Sequence, residues 1–302
     1  MKLYREFRTQ EEIDDQYDIE SAMDMQPYLE WHTAGSERAC KELPCQLDVQ
    51  YGPTLDEVVD VFPAKQPNSP VLVFIHGGWW RLLSNKEHRL VALGLVAHGI
   101  TVVVMNYSLC PKVDIPEITR QSRATLAWVY KNIGRFNGDP ENIYVAGHSA
   151  GGHQVGMMAL TDWAGEYGLP ANLVKGGIPI SGLFDLRPFY YSWLQPKLLL
   201  TEKVIEQQSP LFHVEQLQHL IPMLITLGGD ESPEFHRQSK TFGDAWRKQG
   251  GLVTTLDQPG KNHVTAIAGF EDPNSPLCAA VVDFIKRHST PTNSAKHIEV
   301  TR

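Results

Sequence analysis

Gly147-His148-Ser149-Ala150-Gly151 forms a G-x-S-x-G run directly after an apolar segment and directly before a stretch with helical spacing. A serine at so sharp a strand-to-helix turn presents its hydroxyl, and glycines flank it where a β-carbon would strike the adjoining chain. That hydroxyl is a poor nucleophile until a base takes its proton, so the reading requires a histidine oriented by a carboxylate farther along. Asp230 follows the run Ile221-Pro222-Met223-Leu224-Ile225-Thr226-Leu227, within Gly228-Gly229-Asp230-Glu231-Ser232. His263 stands at the tip of the turn-rich segment Gln258-Pro259-Gly260-Lys261-Asn262, just before Val264. Ser149 is read as nucleophile, His263 as general base and Asp230 as the orienting acid. Glu231 is the adjacent rival for the acid, and Asp257 is a further substitute. His213, His219 and His236 are read as surface or structural residues, because none follows a last strand in a loop.

Attack on a carbonyl makes an oxyanion, which preorganised backbone N–H groups stabilise by a few kcal/mol. One donor is the amide of Ala150, after the nucleophile. The others are expected from His76-Gly77-Gly78-Trp79-Trp80, which follows the apolar run Val71–Ile75. Gly78 and Trp79 are assigned as donors, Gly77 as shaping the loop, and the His76 side chain as holding it by hydrogen bonds. The aromatic residues Trp80, Tyr107, Phe184 and Tyr190 are candidates for the wall of a pocket for an aryl group.

These groups need a scaffold, and the periodicity supplies one. Short β-branched runs alternate with longer helical stretches, the pattern of βαβ units around a largely parallel sheet, so the class is α/β. Strands are expected at Gln46–Gln50, Glu57–Phe62, Val71–Ile75, Thr101–Met105, Asn142–Ala146, Gly176–Ile180, Met223–Leu227 and Leu252–Leu256. Helices are expected at Lys86–His98, Glu117–Ile133, Ala150–Leu160, Pro233–Gln249 and Leu277–His288. The whole chain, 1–302, reads as one domain. A polar lead runs through about residue 44, the segment 181–214 breaks the alternation as caps over active sites commonly do, and 289–302 is a polar tail expected to fray.

The chain order Ser149, Asp230, His263 is that of the α/β-hydrolases and differs from the two common protease orders. The motif His76-Gly77-Gly78-Trp79-Trp80 resembles the HGGxW motif of the kynurenine formamidases (arylformamidases), a branch of that fold. The resemblance runs over roughly residues 12 to 288. It takes in Gln16-Tyr17-Asp18, Leu47-Asp48-Val49-Gln50-Tyr51-Gly52, Val59-Asp60-Val61-Phe62-Pro63, Asn106-Tyr107, Gly138-Asp139-Pro140 and Ser181-Gly182-Leu183-Phe184-Asp185-Leu186. It implies an α/β-hydrolase with about eight strands and a cofactor-free serine hydrolase that converts N-formylkynurenine to kynurenine and formate in tryptophan degradation. Similar enzymes include esterases, so a carboxylesterase of small acyl or aryl esters is the alternative, and an inactive binding scaffold a minor one. Similar enzymes also include dimers, which leaves a homodimer open.

Composition excludes other classes. With 27 Lys+Arg against 35 Asp+Glu, the net charge is −8, which disfavours a nucleic-acid partner. No apolar run approaches a membrane span, and the first residues have no signal-peptide core. The four cysteines, Cys40, Cys45, Cys110 and Cys278, form no CxxC pair, in keeping with free thiols and a cytoplasmic location. His148 and His153 lack a carboxylate to complete a metal set, and no phosphate loop is present, so neither metal nor cofactor is expected.

Overall fold

The computed structural model describes residues 2–217 and 219–290; most of the tail expected at 289–302 lies outside the described residues. Eight strands form one sheet: β1 (Gln46–Gln50), β2 (Val58–Phe62), β3 (Ser69–Ile75), β4 (Thr101–Met105), β5 (Gly138–His148), β6 (Val174–Ile180), β7 (Met223–Gly228) and β8 (Val253–Gln258). Their spatial order is β1-β2-β4-β3-β5-β6-β7-β8. β2 runs antiparallel to both β1 and β4, and all other pairs are parallel. This is the α/β-hydrolase sheet, and each expected strand is present within a few residues. The central strands β3 and β4 are apolar along nearly their whole length because helices cover both faces, whereas the edge strands β1 and β8 alternate polar residues toward water.

The helices are α1 (Gln10–Tyr17), α2 (Ile19–Ala22), α3 (Gln26–Glu42), α4 (Ala92–Ala97), α5 (Ile115–Asn132), α6 (Ala150–Ala159), α7 (Trp163–Tyr167), α8 (Gln195–Leu198), α9 (Glu202–Gln208), α10 (Pro233–Lys248) and α11 (Pro276–His288). The expected Lys86–His98 helix divides into a 3-10 turn over Asn85–Val91 and α4. α1 to α3 occupy the segment that reads as a polar lead. Their apolar signal is faint because α3 turns His32, Gly35, Ser36 and Ala39 inward, small or polar residues with no apolar stripe.

The first helices are fastened to distant parts of the chain. Tyr17 donates from its hydroxyl to Glu234 Oε2 at 2.9 Å, Ser232 Oγ donates to Gln16 O at 2.5 Å, and Asn262 Nδ2 donates to Tyr28 Oη at 2.8 Å. Segment 181–214 instead buries Leu186, Phe189, Leu194, Leu198 and Leu200 in the main apolar cluster, beside Tyr17 and Trp80.

Between α3 and the sheet lies a file of buried histidines. His32 packs edge-on against His88 at 5.2 Å, His88 stacks on His76 at 5.5 Å, and His76 stacks on Tyr107 at 4.0 Å. Each uses Nδ1–H on a carbonyl: His32 on Glu87 O, His88 on Ser84 O, His76 on Gly77 O. Burial disfavours their charged forms, holding His32 and His76 down to about 4 and His88 well below its ordinary value; His153 is likewise held at about 4. Released by unfolding, these rings titrate near 6.5. The unfolded chain therefore binds more protons between about pH 6.5 and 4, and stability, full above that window, is lost as pH falls through it. Each ring contributes up to about 1.4 kcal/mol per pH unit there. Urea midpoints measured at pH 7.5, 6 and 5 should fall steadily; a constant midpoint would show that these rings protonate freely in the folded protein.

Candidate active site

Five neighbouring strands, β3, β5, β6, β7 and β8, end at one rim of the sheet, and each delivers a residue there. Ser149 follows β5 with φ 56° and ψ −116°, a left-handed geometry that costs a non-glycine residue about 1 to 3 kcal/mol. The turn has no slack. A β-carbon on Gly151 would lie 2.0 Å from Ile75 O, and one on Gly147 would lie 2.3 Å from Gly151 O, so only glycine fits at either place. The Ser149 amide donates to Ile180 O at 2.8 Å, which locks the turn to β6.

His263 follows β8, and its Nδ1–H donates to Glu231 Oε2 at 2.7 Å. The tautomer this bond selects leaves Nε2 with the lone pair a base needs. Trp79 at 6.2 Å and Phe235 at 4.4 Å hold the ring between them. The loop is also tied to the Ser149 turn, since His148 donates from Nε2 to His263 O at 2.8 Å. Burial keeps the His148 imidazole neutral, well below its ordinary value, as that structural role requires.

The carboxylate on His263 is Glu231, and not Asp230 as the sequence suggests. Residues 228–231 make a tight turn, with Glu231 N bonded to Gly228 O at 3.2 Å, which returns the fourth residue over the strand end. Glu231 is fully buried at its side chain and accepts from Ser181 Oγ at 2.5 Å and Gly228 N at 2.6 Å besides His263. Asp230 is exposed, bonded through its backbone to Lys261 O, and lines a neighbouring depression of about 150 Å³ that Glu231 and His263 also border. Asp257 lies exposed on the edge strand β8. His213 bonds Glu206 O, and His219 and His236 are exposed. Ser181, at φ 52° after β6, is a member of this network that sequence reasoning missed; a serine directly at a strand's C-terminal end was the available signal.

The loop after β3 lies against the serine: a β-carbon on Gly77 would sit 3.2 Å from Ser149 Cβ. Gly78, Trp79 and Trp80 all have positive φ, at 105°, 53° and 56°. At Gly78 a side chain would strike Leu82 O at 2.1 Å. Among the described residues the Gly78 and Trp79 amides donate to no protein acceptor, and Ala150 opens α6, where first-turn amides have no intrahelical acceptor. His76 braces the loop through its bond to Gly77 O, with Tyr107 Oη donating to His76 O at 2.9 Å.

Ser149, His148 and His263 border a cavity of about 240 Å³, with Gly78 and Trp79 on the loop side. Its remaining wall is Ile19, Glu20, Met25, Tyr28, Leu29 and His32 from α2, α3 and the turn between them, with Leu82, Leu83, His88 and Val264. No residue of 181–214 lines it; the N-terminal lead does. Trp80, Tyr107, Phe184 and Tyr190 are absent from this wall, contrary to the sequence reading. Trp80 is buried with its Nε1–H toward His153, Tyr107 lies beneath His76, Phe184 stacks on Phe242 at 4.0 Å, and Tyr190 is exposed on another face. Each aromatic found better burial or solvation elsewhere, so aromatic content alone did not mark the pocket. Among the described residues no group of three or more His, Cys, Asp or Glu side chains is arranged to hold a metal ion, and no helix is long and apolar enough to cross a membrane.

A family model described as BD-FAE matches residues 59–176. The kynurenine formamidase of Danio rerio is 30% identical over 257 residues, covering 83% of this chain and 86% of that protein. The kynurenine formamidase of Salmo salar is 31% identical, covering 79% and 81%. A crystal structure from Silicibacter sp. TM1040, assigned to the thioesterases, superposes with a TM-score of 0.78 at 27% identity over 89% of this chain and 98% of that one. At 30% and 31% identity to two kynurenine formamidases over most of both sequences, the chain belongs to the kynurenine formamidase family and is a hydrolase of amide or ester bonds.

Proposed function

We propose that this hydrolase removes the formyl group from an aryl formamide, with N-formylkynurenine as substrate, through an acyl-enzyme on Ser149. The observation that carries the reading is the 2.7 Å bond from His263 to Glu231 at the rim of a cavity that also holds Ser149. His263 takes the Ser149 proton through Nε2 as Oγ attacks the formyl carbon, and Glu231 stabilises the imidazolium. The developing oxyanion lies against the amides of Gly78, Trp79 and Ala150, which supply a few kcal/mol because they are already oriented. His263 then protonates the departing arylamine nitrogen, and a water molecule, activated by the same ring, releases formate and restores the serine.

A formamide suits this site better than a bulky acyl group. The formyl carbon bears only hydrogen and so asks least of the space between Ser149 and the loop after β3, where even a β-carbon on Gly77 would be crowded. The apolar wall of Met25, Leu29, Leu82 and Leu83 receives the aryl ring on the leaving side. Ester hydrolysis uses the same steps, and the thioesterase assignment of a structural relative keeps small esters in view.

Replacing Ser149 by Ala should reduce turnover of N-formylkynurenine to background and abolish labelling by a fluorophosphonate, while thermal unfolding remains cooperative. Activity near wild type in that variant would exclude the serine mechanism. E231Q should lower kcat by about 10³- to 10⁴-fold, since an amide in place of the carboxylate no longer stabilises the imidazolium or selects its tautomer. D230N should stay within about twofold, as expected for an exposed side chain. The opposite ranking in steady-state assays would return the orienting role to Asp230.

A further inference from the structure

We infer that Arg81 and Glu20 form the subsite for a zwitterionic amino-acid head on the substrate, with Arg81 taking its carboxylate and Glu20 its ammonium. This rests on the aryl-formamide reading and names the residues that would recognise the part of the substrate remote from the formyl group.

The charge distribution of the cavity motivates it. Among the described lining residues Glu20 is the one that carries an acidic side chain, and none carries a lysine or arginine side chain. Glu20 Oε1 accepts from Arg81 Nη2 at 2.6 Å, and the two side chains are 32% and 18% exposed, so Glu20 lines the cavity and Arg81 stands next to it, reached through this bond. The rest of the wall is mostly apolar, so a charged group seated elsewhere would lose its hydration without gaining a partner. A lone cation or anion bound at the pair would compete with one member and leave the other short of its counter-charge. A zwitterion brings both signs at once. Glu20 Oε2 accepts no bond among the described residues, and only Arg81 Nη2 is committed there, so the planar guanidinium retains donors for a carboxylate.

The position of the pair adds a consequence for catalysis. The Arg81 amide bonds Gly78 O at 2.9 Å, directly beside the oxyanion donors, while Glu20 belongs to α2. A head group held by both residues therefore spans the N-terminal wall and the loop that stabilises the transition state, and its binding energy is available to fix that loop.

The test compares two formamides, N-formylkynurenine and 2-formamidoacetophenone, which keeps the aryl formamide but lacks the amino-acid head. The wild-type full chain should favour the first in kcat/KM. In R81Q and in E20Q the ratio of the two kcat/KM values should fall about tenfold or more, and R81K, which keeps the charge, should recover part of it. Equal losses on both compounds would mean that the pair only holds the wall in place and would overturn the inference. Wild-type protein that turns over both compounds with no preference would overturn it while leaving the hydrolase reading intact. Wild-type protein inert on both would overturn the formamide reading and this inference with it.

Discussion

The approach of the Ser149 turn to the end of β3 is the constraint on which the site depends. Gly151 lies so close to Ile75 O that no β-carbon fits, and a β-carbon on Gly77 would crowd His148 O and Ser149 Cβ. Because these distances are set by backbone against backbone, the serine and the oxyanion loop cannot separate without tearing the sheet rim. The strain of four left-handed non-glycine residues, Trp79, Trp80, Ser149 and Ser181, is held there by the hydrogen bonds and packing around it. His263 is then joined to the same block through His148, and Glu231 through His263 and Ser181. Preorganisation is thus inherited from the fold, in the sense that one compact junction fixes Ser149, His263 and the amides of the loop after β3 together.

The parts legible in sequence are those governed by local rules. Strands such as Thr101–Met105 announce themselves because burial on both faces demands continuous β-branched residues. Ser149 and His263 are legible because glycine-rich turns at strand ends leave a mark. The carboxylate is misread as Asp230 instead of its neighbour Glu231, since a turn of four residues decides which one folds back and periodicity says nothing about it. Glu231 is chosen by geometry, its extra methylene reaching an imidazole that Asp230, one residue earlier and turned outward, does not meet.

The pocket was hardest to read because its wall comes from a polar segment. α1 begins with a capping box, Thr9 with Glu12, a short-range signal that was available, but α3 shows no apolar stripe since its inward face is His32, Gly35, Ser36 and Ala39. The expectation that an irregular mid-chain segment covers the cavity gives way for a related reason. Leu186, Phe189, Leu194, Leu198 and Leu200 of this segment are core residues in one cluster with Tyr17 and Trp80, so their abundance reports burial and not ligand contact. A binding wall and a hydrophobic core draw on the same side chains, and only the third dimension separates them.

The contacts of the first helices also set an order of events during folding. Tyr17 reaches Glu234 and Tyr28 reaches Asn262, partners 217 and 234 positions away. Closing loops of that length carries an entropic cost, so these two contacts form only once β7, β8 and α10 exist, although α3 also packs on the nearer residues 85–91 through His32 and His88. The cavity is completed only when α2 and α3 settle against the rim, and a molecule that has assembled its sheet but not yet docked these helices carries a formed serine turn open to water.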